Sequence, residues 1–179
     1  TLATPSRTGY TFNGWYTEST GGTKIGNAGA TYTPTESKTI YAQWNANSYE
    51  VTFNGNGATS GSMTNQTFTF DTAANLKANA FVREYTITYN ANSGNVSPTS
   101  AKATYTFAGW ATSQNGEKVY DNKASYLVPV NGETLYATWT SASITLKTCS
   151  RTGYTFNGWY TESTGGTKIG DAGDSYTPT

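Results

Sequence analysis

The chain has 179 residues, of which 12% are charged and 15% aromatic, with eleven acids against eleven bases, no histidine and one cysteine. No net basic face is available to neutralise phosphates, so nucleic acid is excluded as a partner. No apolar run approaches the roughly 18 residues of a membrane span, and neither end has the layout of a secretory signal. With few aliphatic side chains, aromatic rings must supply the core.

Tyr10-Thr11-Phe12 reads as a first strand, and Asn13-Gly14 after it as a bend or bulge that turns Trp15 inward. Residues 18–30 read mainly as loop with room for a helical turn. Thr39–Trp44 alternates with period two and places Ile40, Ala42 and Trp44 on one face. Tyr49–Phe53 is another alternating strand, and Asn54-Gly55-Asn56-Gly57 predicts a tight turn leading to a return arm at Thr67–Phe70. Asp71–Asn79, a capping residue before an alanine-rich stretch, predicts one short helix. A second hairpin is predicted from Tyr85–Tyr89 with its turn at Asn90–Asn95. Residues 113–125 resemble 18–30. Thr134–Trp139 repeats the closing pattern, with Leu135, Ala137 and Trp139 sharing a face.

The chain is repetitive. Residues 6–26, SRTGYTFNGWYTESTGGTKIG, return unchanged at 150–170. The 35-residue stretches starting at Thr1 and Thr145 differ at five positions: Ala3/Lys147, Pro5/Cys149, Asn27/Asp171, Ala30/Asp174 and Thr31/Ser175. Gly-Trp recurs at Trp15, Trp110 and Trp159, and Tyr-Ala-x-Trp at Trp44 and Trp139. The interval is 29 residues from Trp15 to Trp44 and again from Trp110 to Trp139. Such a period marks tandem units.

Gly-Tyr-Thr-Phe-Asn-Gly-Trp-Tyr-Thr, then Gly-Gly-Thr-Lys, then Thr-Ile-Tyr-Ala-Gln-Trp resembles the Listeria-Bacteroides repeat, the B-repeat type found in internalin B. The resemblance implies a mostly β, small α+β architecture: tandem β-grasp-like modules with short helical turns at most. It also implies a bacterial surface or secreted protein whose repeats act as spacers and interaction modules. The family pattern divides the chain into the C-terminal part of a first repeat (1–44), the N-terminal half of a second (45–83), a shortened third (84–139) and a partial fourth (140–179). Three joints depart from that pattern, at 83–85, 102–106 and 139–145. Two origins fit them: recombination between near-identical copies, or assembly from an incomplete reading of a longer array. Thr1–Arg7 and Tyr154–Thr179 are expected to belong to modules whose partner strands lie outside the chain.

No catalytic, cofactor or metal site is predicted. Without histidine the usual general base is missing, and Cys149 has no imidazole to activate it. The acids stand in loop-like, solvated contexts. Asp171-Ala-Gly-Asp174 is the best calcium candidate, but its counterpart Asn27-Ala-Gly-Ala30 lacks both charges. Trp15, Trp44, Trp110, Trp139 and Trp159 are assigned to the module cores. Tyr16 and Tyr160, one residue further on and so facing the other way, are the candidate ligand or partner contacts. The function expected is a structural stalk, spacer or filament-forming region of an extracellular or cell-surface protein, with neighbouring repeats as partners. The alternative is an adhesin-type module binding a host glycan or protein through exposed Tyr and loop residues.

Overall fold

The computed structural model describes residues 1–179 and contains strands but no helix. In chain order the strands are β1 (Tyr10–Tyr16), β2 (Lys24–Gly26), β3 (Tyr41–Ala46), β4 (Ser48–Asn54), β5 (Gln66–Thr69), β6 (Ala74–Asn75), β7 (Arg83–Thr88), β8 (Ser100–Ala111), β9 (Ser125–Tyr126), β10 (Glu133–Thr140), β11 (Ile144–Thr145), β12 (Trp159–Tyr160), β13 (Lys168–Gly170) and β14 (Ser175–Tyr176). The chain divides into two units. The first comprises residues 1–52, 64–77 and 123–135, and the second 53–63, 78–122 and 136–179.

In the first unit β1 is the centre of a three-stranded antiparallel sheet, β2-β1-β3. Its register with β3 runs from Tyr10↔Ala46 to Tyr16↔Tyr41 and slips between Phe12 and Gly14. That slip is the bulge predicted at Asn13-Gly14. Gly14 has φ +144, a backbone conformation that L side chains rarely adopt, so glycine suits the position. Phe12 packs edge-on to both Trp15 and Trp44, with centroids 5.6 and 5.3 Å away. β4 and β5 form the first predicted hairpin, with Ser48↔Thr69 and Val51↔Gln66 in register. Val51, Phe68, Leu76, Tyr126, Val128 and Leu135 are buried in this unit.

The helix predicted over Asp71–Asn79 is absent. Asp71 has φ +58 and accepts a hydrogen bond from the Tyr10 hydroxyl at 2.9 Å. Ala74 and Asn75 form β6, opposite Tyr126 and Ser125. Leu76 N–H donates to the Ala124 carbonyl at 2.9 Å, and the Gln66 side chain bridges the Asn75 carbonyl and the Lys77 N–H. A two-turn helix is marginal in isolation, whereas this pairing satisfies the same backbone groups and buries Leu76.

In the second unit β8 is the longest strand. Its first half, Ser100–Tyr105, pairs antiparallel with β7, and its second half, Thr106–Ala111, pairs with residues 136–140 of β10. The chain therefore enters the predicted second hairpin at Arg83 and leaves it at Tyr105 directly into the Thr106-Phe107-Ala108-Gly109-Trp110 segment. Trp110 is 0% exposed and lies against Phe53, Phe81 and Phe107, at 4.9, 6.3 and 4.9 Å.

The rest of the second unit is a separate apolar cluster. Tyr89, Ala103, Ile144, Leu146, Cys149 and Trp159 are buried together, flanked by Ile87, Phe156 and Ile169 among others. The β7–β8 hairpin thus packs on residues 140–179. Cys149, which replaces Pro5 of the first copy, is a buried free thiol in this cluster. Its Sγ faces the Ala91 carbonyl at 3.9 Å.

Candidate functional site

The two near-identical copies fold alike at their straps. Leu2 N–H donates to the Ala30 carbonyl at 2.8 Å and Leu146 N–H to the Asp174 carbonyl at 2.9 Å. The Trp15 indole donates to the Ala3 carbonyl at 2.9 Å and the Trp159 indole to the Lys147 carbonyl at 2.7 Å. Arg7 covers the Tyr10 ring at 3.7 Å, and Arg151 covers the Tyr154 ring at 4.0 Å.

They differ in strand content. Tyr10–Tyr16 is a seven-residue strand held on both sides by β2 and β3. The same sequence at 154–160 keeps strand geometry only at Trp159 and Tyr160, where β13 pairs with it. Beside it lies a cleft of about 410 Å³, lined by Tyr89, Asn92, Tyr154, Phe156, Trp159 and Tyr160 among others. Tyr154 and Tyr160 are 66% and 43% exposed on its rim, and Trp159, 8% exposed, forms its floor with Tyr89. Burial raises the Tyr89 phenol above its ordinary value, a rise opposed by a backbone hydrogen bond at Lys147. The lining combines ring faces and unpaired backbone with no cluster of acids or bases, an arrangement suited to non-covalent recognition.

Of the sequence-predicted contact residues, Tyr160 stands on this rim, its hydroxyl 3.4 Å from the Asn157 carbonyl. Tyr16 belongs to the first unit, where it is half-buried and its hydroxyl accepts from the Asn13 amide at 3.0 Å. Trp110 and Trp159 are buried, while Trp15, Trp44 and Trp139 are half-buried. The calcium candidate is occupied by internal contacts. Lys168 pairs with Asp171 at 2.7 Å, which raises the lysine above its ordinary value, and the Asp174 carboxylate accepts the Asp171 N–H at 2.7 Å. Sequence reasoning missed Asn92 and Tyr154. The signal for Asn92 was present, since Asn90-Ala91-Asn92 repeats the Asn54-Gly55-Asn56 turn.

The paired copies, their shared strap and the fixed tryptophan positions agree with comparison to known proteins. The profile of the Listeria-Bacteroides repeat domain matches residues 1–43, 85–138 and 139–179. The chain belongs to the Listeria-Bacteroides repeat family. It is 35% identical to internalin H of Listeria monocytogenes over 136 residues, covering 76% of this chain and 20% of that protein. It is 30% identical to a putative Gly-rich membrane protein of Evansella cellulosilytica over 147 residues, covering 75% of this chain and 14% of that protein. The chain therefore spans a fifth or less of the length of these relatives. No solved structure matches it. No helix in this family member is long and apolar enough to cross a membrane.

Proposed function

We propose that this chain is a structural repeat region of a bacterial cell-surface or extracellular protein, a stalk or spacer assembled from small β modules. The carrying observation is the family match, together with relatives named as an internalin and a membrane protein in which the matched stretch is a small part of a much longer chain. The packing fits this reading. Within the second unit, Phe53 and Phe81 complete the core around Trp110, while the 83–105 hairpin completes that around Trp159. Consecutive repeats are thereby interlaced: Phe53 and Phe81 pack on Trp110 of the following repeat, and that repeat's hairpin packs on Trp159 of the one after it. In such an array the stability of each repeat includes its interface with the neighbour. The work such a region does is mechanical, and no catalytic step belongs to it.

Small-angle scattering tests the stalk. The full repeat region of the parent protein should give a maximum dimension that grows in proportion to copy number, and a dimension that stays constant as copies are added would refute it. A second reading, an adhesin-type contact, is favoured by one observation: Tyr154 and Tyr160 stand exposed on the rim of a ring-lined cleft. Glycan or host-protein binding lost in Tyr160→Ala, with the fold intact, would support it.

A further inference from the structure

β3 ends at Ala46 and β4 begins at Ser48, so a single residue, the half-buried Asn47, separates them. The strands on either side have different partners. β3 closes the first repeat by pairing with β1, whereas β4 opens the next hairpin by pairing with β5. The chain therefore passes from one ladder to the other through one joint residue.

That residue is bonded to both sides. Toward the first repeat, the Asn47 N–H donates to the Gly9 carbonyl at 2.9 Å, and its Oδ1 accepts from the Thr11 hydroxyl at 2.5 Å. Toward the hairpin, the Asn47 carbonyl accepts from the Phe70 N–H at 2.8 Å, and its Nδ2 donates to the Tyr49 hydroxyl at 3.4 Å. Backbone and side chain each contribute one bond in each direction. A ring contact lies over the same joint. Phe70 meets Tyr10 edge-on at 5.7 Å and Tyr49 edge-on at 6.1 Å. A Cβ on Gly9 would fall 2.3 Å from the Phe70 ring, so the ring rests directly on the Gly9 backbone. The next residue, Asp71, accepts from the Tyr10 hydroxyl at 2.9 Å, and Arg7 lies over the Tyr10 ring at 3.7 Å. All of these residues belong to the first unit.

We propose that Asn47 is a locked joint, which holds the first repeat and the β4–β5 hairpin at one fixed angle so that they move as a single stiff segment. Flexible linkers owe their freedom to small or solvated residues with nothing holding their polar groups. Here, turning the hairpin about Asn47 would break bonds on both sides at once and lift the Phe70 ring off Gly9. Asparagine suits the place because its side chain carries an acceptor and a donor, one for each neighbour. This deepens the stalk reading, and its meaning for reach rests on that reading: a locked joint makes length follow from stiffness.

The test measures amide residual dipolar couplings on the isotopically labelled full chain in a weakly aligning medium. One alignment tensor should fit β1 and β3 together with β4 and β5. Asn47→Gly keeps the joint one residue long but removes its side-chain bonds and adds backbone freedom. In that variant the hairpin's alignment should fall to roughly two thirds or less of that of β1 and β3, the contrast between ordered and mobile backbone. Thr11→Val keeps a strand-forming side chain and removes only the hydroxyl. It should shift the hairpin's alignment in the same direction, and it decides the matter if Asn47→Gly does not fold. Two tensors of different magnitude in the unaltered chain, or a shared tensor surviving in every folded variant, would overturn the proposal. A repeat region whose length grows with copy number, in a chain that needs two tensors, loses the lock and keeps the stalk. A shared tensor in a region whose length stays constant loses the stalk and keeps the lock.

Discussion

Tyr89 and Trp159 meet with ring centroids 4.7 Å apart and planes at 45°, joining the β7–β8 hairpin to the last repeat copy. Nothing local in the sequence pairs them. Truncating Tyr89 removes most of the hairpin's aromatic contribution to that cluster. Tyr89→Ala should cost about 3 kcal/mol, the usual range for losing a buried ring. Hydrogen exchange should show the loss as reduced protection at Leu146 and Trp159. Unchanged protection there would show that the hairpin does not support the copy.

Trp110 and Trp159 occupy the same repeat position but differ at the indole nitrogen. Trp159 donates to the Lys147 carbonyl, whereas the Trp110 N–H is buried with no acceptor. A phenylalanine loses ring volume at both sites but relieves an orphaned donor only at Trp110. Trp110→Phe should therefore cost about 1–2 kcal/mol less than Trp159→Phe in denaturant unfolding, the desolvation penalty of one unsatisfied group. Equal costs would refute the assignment.

Glu84 accepts from Lys102 at 2.7 Å and from the Thr104 hydroxyl at 2.9 Å, across the β7–β8 hairpin. These bonds, that from Lys102 first, hold its carboxyl below the ordinary glutamate value. A depressed carboxyl gives stability that is present above the unfolded value and is lost as the pH falls through the folded one. Hairpin stability should decline from about pH 4.5 downward. Glu84→Gln should lower stability at neutral pH and flatten that decline. The carboxylate is partly solvated, so the effect should shrink in high salt.

Gly132 has φ +71, and a Cβ there would run into the Glu50 carbonyl. Gly21 has φ +68, with nothing within 4 Å of the same position. Gly21→Ala should cost about 1 kcal/mol, the conformational penalty alone, and Gly132→Ala about 3 kcal/mol or more because backbone must also move. Comparing thermal midpoints of the two variants separates the contributions.

The longer strands β1, β3, β4, β5, β7 and β10, both hairpins, the Asn13-Gly14 bulge and the repeat family were legible because each rests on local period, turn chemistry or a recurring interval, whereas short strands such as β2 and β9 lie in segments that read as loop. The false helix at Asp71–Asn79 has the opposite origin. Its cap and alanines are real local signals, but Leu76 is claimed by Ala124, far along the chain, and no window of sequence contains that pairing. The cleft was half legible. Tyr160 could be placed by its step past Trp159, whereas Asn92 becomes meaningful only when the second asparagine turn is seen to face the 154–160 segment. Tyr16 is half-buried rather than exposed, with its hydroxyl held by the nearby Asn13 amide.

β8 also has a consequence for how this region would respond to a pulling force. One uninterrupted strand carries the ladder to β7 along its first half and the ladder to β10 along its second. Tension along β8 is resisted in shear by both neighbours, so many hydrogen bonds must yield together rather than unzip in turn. The strand acts as a splice bar between its two neighbours, and a single peptide cleavage between Tyr105 and Thr106 would cut the splice at its middle.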